Sequence, residues 1–372
     1  MPISECRMGR VAASVSERWL KGRLSIADFR MPDGKSTRDL WRAKSNQRER
    51  AVSGTLMGLA LIVSLFLTAG CGQEKTPPPP SQSFNIDPAQ FSGDKAFDEL
   101  KKFLMVGPAV AGTDKALQVA QFLESRLKDL GLKVEIDEFT EISPDGQTVF
   151  RNVIARRKGS GKGMVILGSH FDGKSGLPEG FDGANDAGSS TAVLLEMASV
   201  ISHAPEPPVD MVFAFFDGEE CKVHYGPGDG LHGSRHMAKQ LKEQGQVGQV
   251  RAMILLDMVG DKDLTLTIPR NGTAELISAL FEAARKQNVR NKFSLYPFEV
   301  GDDHTPFLEA GIPAIDIIDF YYGSATGLND YWHTAEDRLE NVSPQSLEIT
   351  GKVTLELLNS LLIQSHSVGV LE

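Results

Sequence analysis

The sequence predicts an α/β fold, a three-layer α/β/α sandwich around a mostly parallel mixed sheet, and three observations predict it. The runs Met-Val-Ile-Leu-Gly from Met164, Met-Val-Phe-Ala-Phe-Phe from Met211 and Ala-Met-Ile-Leu-Leu from Ala252 are uniformly apolar. Strands buried on both faces of a parallel sheet have that composition. Helical spacing fills the intervals between them, and alternating strands and helices put helices on both faces of the sheet. Each run also ends in metal-type side chains: Ser169-His170-Phe171-Asp172, Asp217-Gly218-Glu219-Glu220, and Asp257. Ligands collect where such strands end, so one sheet edge gathers a histidine and several carboxylates.

The elements follow in order. Residues 94–103 and 113–130 have helical spacing, the second with Val119, Phe122, Leu123 and Leu127 along one face and Gly131 as a stop. Residues 132–139 alternate as a strand, and another begins at Asn152 after the Pro144-Asp145-Gly146 turn. Beyond the first apolar run, a Gly-rich loop leads to Asn185-Asp186-Ala187-Gly188, which opens a helix with apolar positions 193, 194, 197, 200 and 201. That places Asp186 just before a helix N-terminus at the sheet edge. A strand (211–216), a helix (about 233–244), a strand (252–257), a helix (273–287), a strand (313–318) and a last helix from Pro344 complete the pattern.

The first 71 residues read differently. Residues 1–50 carry twelve Lys/Arg against six Asp/Glu, whereas the whole chain has a net charge of −10. This charge asymmetry marks a boundary. The leader 1–50 is read as cleaved or untranslated, with Met31 as an alternative start. Residues 51–71 form an uncharged apolar stretch that closes on Thr68-Ala69-Gly70-Cys71. This is the pattern of a secretory signal with a lipoprotein-type cysteine, so Cys71 is the expected lipidation site. The alternative is a signal anchor, since about 20 apolar residues span a bilayer. Residues 72–93, with their run of prolines, are expected to be a disordered tether, and 94–372 the catalytic domain. If that signal is real, the domain is exported to the cell envelope, on the periplasmic or extracytoplasmic face. Of the three cysteines, Cys6 lies in the leader and Cys71 at the lipid site, which leaves Cys221 alone in the domain. No internal disulfide is therefore expected, and an ordinary core must stabilise the domain. An acidic balance without basic or aromatic clusters excludes nucleic acid as a partner.

Zinc takes histidine nitrogen and carboxylate oxygen and keeps an open position when catalytic. Asp186, Glu220 and His333 would form such a three-ligand site. Glu219 cannot point the same way as Glu220 if the backbone there is extended, so one binds metal while the other faces substrate as general base. His170 and Asp257 would hold a second zinc, with Asp186 bridging.

The segments Gly183-Ala-Asn-Asp186, Phe215-Phe-Asp-Gly-Glu-Glu220, Leu231-His-Gly-Ser-Arg-His236, Leu255-Leu-Asp257, Asp302-Asp-His-Thr-Pro-Phe307 and Trp332-His-Thr334 resemble the zinc-dependent glutaminyl-peptide cyclotransferases and their relatives, the zinc aminopeptidases. The resemblance runs from about Phe97 to the C-terminus. It implies zinc on Asp186, Glu220 and His333, and Glu219 as acid/base residue. In the cyclase version, one zinc polarises the side-chain amide of an N-terminal glutamine, Asp257 and Asp302 form a supporting hydrogen-bonded pair, and the product is pyroglutamate. In the aminopeptidase version two zincs hold a hydroxide, Asp257 is a ligand, and the N-terminal residue is hydrolysed off. Both act on peptide or protein N-termini. Trp332, beside His333, is expected to wall the pocket. Tyr225 stands where cyclases usually carry a pocket tryptophan, and Asn185-Asp186-Ala187-Gly188-Ser189 is the aminopeptidase-like form of its motif. A third reading is a binding lipoprotein that has kept the fold and lost the chemistry; the full ligand set with Glu219 argues against it. His203, His224, His232, His236 and His304 are expected to cap or order local structure, and Cys221 has no paired base to make it a nucleophile.

Overall fold

The computed structural model describes residues 84–107, 109–177 and 180–363. The expected leader, the signal with Cys71 and most of the tether lie outside the described residues. The last ten residues of the expected tether, 84–93, belong to the fold. Phe84, Ile86 and Phe91 are buried in the main core. Three apolar side chains within eight residues find cover there, against a C-terminal helix, α7 (Pro344–Ile363). Asn359 of that helix clamps the strap, accepting from Ile86 N at 2.8 Å and donating to Ile86 O at 2.7 Å. Phe91 explains a glycine in mid-helix: a Cβ on Gly351 would lie 2.3 Å from its ring.

Two helices come next, α1 (Gly93–Val106) and α2 (Asp114–Asp129), each N-capped by a hydroxyl, from Ser92 and Thr113. The strands β1 (Lys133–Ser143) and β2 (Gly146–Arg157) form an antiparallel hairpin, longer than the sequence pattern predicts. Then follow β3 (Met164–His170), α3 (Gly188–His203), β4 (Asp210–Phe216), α4 (His232–Glu243) and β5 (Val250–Asp257). The rest of the chain gives β6 (Leu266–Pro269), α5 (Ala274–Lys286), β7 (Phe293–Tyr296), α6 (Thr305–Glu309), β8 (Ala314–Ile318) and α7. The two four-residue strands β6 and β7 pair in parallel as a small second sheet. They and α6 are too short to leave a period in the sequence.

The main sheet runs β1-β2-β4-β3-β5-β8, with β4, β3, β5 and β8 parallel. Alternation along the strands sends Val165, Leu167, Phe213, Phe215, Ile254 and Ile315 into a core shared with α1, α2, α3, α5 and α7. Ile166, Val212, Ala214, Met253 and Leu255 go to the opposite face, under Met237, Ala238 and Leu241 of α4. This is the expected three-layer sandwich. β4 lies on one side of β3 and β5 on the other, so the chain reverses its direction of progress across the sheet at β3. A crevice opens at such a reversal, outside the C-terminal ends of the strands.

Candidate active site

The strand ends at this crevice carry the residues that the sequence singles out. His170 is the last residue of β3 and Asp257 the last of β5, while Glu219 and Glu220 follow β4 after the turn at Gly218. Gly218 has φ +77° and faces the Phe150 ring at 2.6 Å from a would-be Cβ, so only glycine makes that turn without displacing the aromatic side chain. Asp186 comes from the loop that opens α3, and His333 from the long loop between β8 and α7.

Asp186 is the hub of the cluster. Its Oδ1 is 3.0 Å from His170 Nε2, and its Oδ2 is 3.3 Å from His333 Nε2. Glu220 Oε1 lies 2.9 Å from the same His333 nitrogen, and Asp257 Oδ1 is 3.3 Å from His170 Nε2. Two three-residue groups result, Asp186/Glu220/His333 and His170/Asp186/Asp257; within each, the potential ligand atoms lie within 4.8 Å of one another. The structure thus brings both expected metal sets together, with Asp186 common to them.

The donor chemistry fits a divalent cation of the zinc type: imidazole nitrogens and buried carboxylate oxygens converge on one point. The electrostatics agree. Burial would depress His333, yet Glu220 and Asp186 hold it up at about 9, and His170 is likewise raised by Asp172, Asp186 and Asp257 against its burial. The carboxylates around them draw the two imidazoles toward protonation, and the same negative field favours a bound cation.

Glu219 stands apart from both groups. Its Oε2 accepts a hydrogen bond from the Tyr225 hydroxyl at 3.3 Å, while Glu220 turns to His333. The two side chains diverge as expected, though on a loop and not on an extended strand. Burial pushes the Glu219 carboxyl well above the ordinary range; charged His170 works against this, and the carboxylates of Asp302, Glu220 and Asp303 add to it. A carboxyl raised in this way holds a proton more readily than an ordinary one, as an acid/base group must. Trp332 donates from Nε1 to Asp186 Oδ2 at 3.0 Å and stacks on His333 at 4.1 Å. The indole therefore orients two candidate ligands.

Asp257 bonds to His170, and Asp302 lies close to Asp316, from the middle of β8. Burial pushes both carboxyls well above their usual range, with the charges of Asp257 and Asp303 adding to it at Asp302 and those of Asp302 and Asp257 at Asp316. His304 joins these two in a third compact group. Its Nε2 faces the Asn271 amide nitrogen at 3.0 Å, and Asn271 is oriented by bonds to Val300 O (2.9 Å) and from Val300 N (3.2 Å). Nε2 then accepts, which leaves the hydrogen on Nδ1, so neither nitrogen offers a free lone pair to a metal. Burial holds His304 down at about 4, so it is neutral. The reading of His304 as an ordering residue agrees with this geometry.

Other residues support the site that sequence reasoning did not assign. The Asp172 carboxylate accepts from Glu219 N at 3.0 Å and Glu220 N at 3.2 Å, fixing the backbone of both glutamates. Asp337 does the same for Asn185 N (2.7 Å) and Asp186 N (3.1 Å), and receives the Tyr322 hydroxyl at 3.1 Å. Lys174 Nζ lies 3.3 Å from Glu220 Oε2 and 3.1 Å from Cys221 Sγ. Asp172 ends the Ser-His-Phe-Asp motif and Asp316 interrupts an apolar strand, so both had a visible signal; Lys174 and Asp337 had none. Three of the four non-glycine residues with positive φ among the described residues adjoin the site: Leu231, whose N–H bonds Glu219 O, Met258 after Asp257, and His333 itself. Strained backbone of this kind clusters at functional sites. Three further histidines are structural: His232 bonds Glu141 at 2.8 Å and stacks on Phe150, His236 stacks on Phe139, and His203 bonds Ser199 O.

Comparison with known proteins bears on the same residues. The family model described as peptidase family M28 matches residues 152–358. A glutaminyl-peptide cyclotransferase-like protein of Mus musculus is 30% identical over 283 residues, covering 68% of this chain and 72% of the relative. The solved structure of an Acidobacteriales bacterium glutaminyl cyclase superposes with a TM-score of 0.71 at 32% identity, over 78% of this chain and 100% of that one. A Zn-dependent exopeptidase from Parabacteroides distasonis gives 0.65 at 29%, over 72% and 98%. The matched span runs from the hairpin through every candidate ligand to the last helix, and this chain belongs to peptidase family M28.

Proposed function

We propose that this protein is a zinc-dependent glutaminyl-peptide cyclotransferase, which converts the N-terminal glutamine of a peptide to pyroglutamate with release of ammonia. The likeness to glutaminyl cyclases in sequence and in structure carries the choice of reaction, and the site supplies the chemistry. Asp186, Glu220 and His333 would hold zinc, which polarises the side-chain amide carbonyl. The α-nitrogen of the glutamine bonds to its own amide carbon, closing a five-membered ring, and the carbon–nitrogen bond to the departing amide breaks. Glu219 takes the proton from the α-amine and delivers it to the leaving nitrogen, which departs as ammonia. Asp172 fixes the backbone from which Glu219 and Glu220 project, and the Tyr225 hydroxyl orients the Glu219 carboxylate. Trp332 and Tyr225 would flank the glutamine side chain. His170 with Asp257 offers the second metal position that an aminopeptidase needs; in the cyclase these two residues brace Asp186 instead.

A Gln-initiated peptide incubated with the domain from residue 73 onward should yield the pyroglutamyl product and ammonia, with about one zinc per chain. Free amino acids from a Leu-initiated peptide, two zincs per chain and an intact Gln peptide would establish the aminopeptidase instead. The lipid anchor at Cys71 and the exported location belong to the same proposal. Mass analysis of the mature N-terminus is expected to find diacylglycerol on Cys71; an unmodified cysteine or a retained leader would dismiss the anchor.

A further inference from the structure

Aromatic side chains continue outward from the site. Trp332, bonded to Asp186, lies 5.7 Å from Phe320 between ring centroids; Phe320 lies 5.5 Å from Tyr296, and Tyr296 lies 5.6 Å from Phe298 and 6.2 Å from Tyr321. The path comes from two separate parts of the chain: the end of β7 with the residues that follow it, and the loop after β8. It ends at the surface, where Phe298 is 56% and neighbouring Leu295 59% exposed. Phe298 sits on fixed backbone, its carbonyl accepting from Arg270 N at 3.2 Å, and the adjacent Glu299 is paired with Arg270 at 3.3 Å. The outer end is thus apolar, with its neighbouring charges paired. Scattered exposed apolar residues are ordinary, but rings in contact that lead out of a catalytic crevice form a continuous apolar patch, and such patches mark binding surfaces.

We propose that the rings of Phe320, Tyr296, Tyr321 and Phe298 form an extended subsite for the substrate chain beyond its N-terminal glutamine, and that it selects apolar or aromatic side chains there. The inference rests on the cyclase reading of the site. Its occupant follows from continuity: a peptide whose first residue lies against Trp332 has to leave the crevice, and the ring path begins at that indole. Three ring steps of 5.5–5.7 Å correspond to at most about five residues of extended peptide at about 3.3 Å each. The preference therefore falls on residues two to five of the substrate, most strongly on those that reach Phe298. Aromatic side chains supply large, rigid contact area at low entropic cost, and a ring-to-ring contact strengthens binding by up to about tenfold.

The test uses pentapeptides that begin with glutamine and carry one phenylalanine at position two, three, four or five of an otherwise glycine background. Wild-type protein should show a kcat/KM about tenfold higher than for the all-glycine parent when phenylalanine stands at one or more of positions three to five, with the gain residing in KM. In Phe298→Ser the gain should shrink to under about threefold, with kcat on the all-glycine peptide as the reference for an intact site. Equal kcat/KM for all peptides in the wild type, or a gain of the same size in the variant, overturns the subsite. If no glutamine peptide is cyclised, the cyclase reading fails. The subsite is then judged by fluorescence anisotropy of the same peptides labelled at the C-terminus, where equal affinities for phenylalanine and glycine peptides overturn it. Sedimentation of both proteins covers the remaining occupant: a dimer that Phe298→Ser dissociates, with peptide selectivity intact, makes the patch a contact between copies of this chain and overturns the proposal.

Discussion

Glu219→Gln should retain zinc at the wild-type stoichiometry and lose turnover by about 10²- to 10⁴-fold, the usual contribution of a positioned acid/base group. The replacement keeps the size and planarity of the side chain. Its amide oxygen can still receive the Tyr225 hydroxyl, which now meets Glu219 Oε2 at 3.3 Å, but it cannot carry the proton. Folding should not suffer. Burial raises the Glu219 carboxyl because the charged form is penalised in the folded state, and a neutral amide escapes that penalty. The variant's midpoint of thermal unfolding is therefore expected to equal or exceed that of the wild type. Undiminished kcat would remove Glu219 from the proton transfer, whereas loss of zinc together with activity would make it a ligand.

Asp186→Ala is expected to abolish both zinc retention and turnover. Asp186 touches His170, His333 and Trp332, at 3.0, 3.3 and 3.0 Å, so its removal takes the shared carboxylate from both candidate metal groups and the hydrogen-bond acceptor from the indole. Chelation of the wild type gives the complementary measurement. A ligand bound at 100 times its dissociation constant stabilises a fold by about 2.7 kcal/mol, so stripping it should lower the wild-type melting midpoint by about 5–10 °C. In Asp186→Ala the same chelator should shift nothing. Stoichiometric zinc in that variant would move the metal to a set of ligands without Asp186.

Both expectations depend on residues whose legibility in the sequence differed. The Glu219/Glu220 pair and Asp257 stand at the ends of apolar runs, and a buried parallel strand can be read from composition alone because both its faces are apolar. His170 is legible for the same reason. Asp186 could be placed at the sheet edge by the helix that follows it, and His333 was joined to the site through the resemblance of Trp332-His333-Thr334 to a known motif. Period and composition did not indicate that Asp302 comes close to Asp316, which the packing of its loop against β8 decides, nor the support that Asp337 gives Asn185 and Asp186. The strap 84–93 was assigned to the tether because a short apolar segment after a proline run has no period of its own; its cover is supplied by a helix at the opposite end of the chain.

The sequence by itself determined the sandwich, the parallel strands, the family resemblance and the chemical types gathered at one edge, since strand burial, alternation of elements and the C-terminal location of ligands are local or topological consequences of residue order. Only the tertiary structure decided how those side chains divide: Asp186 between two imidazoles, Glu219 turned to Tyr225, Asp257 bonded to His170, and the rings of Phe320, Tyr296 and Phe298 joined into one path. Direction and distance among side chains on different loops follow from how the loops pack, and neither is written in the spacing of residues along the chain.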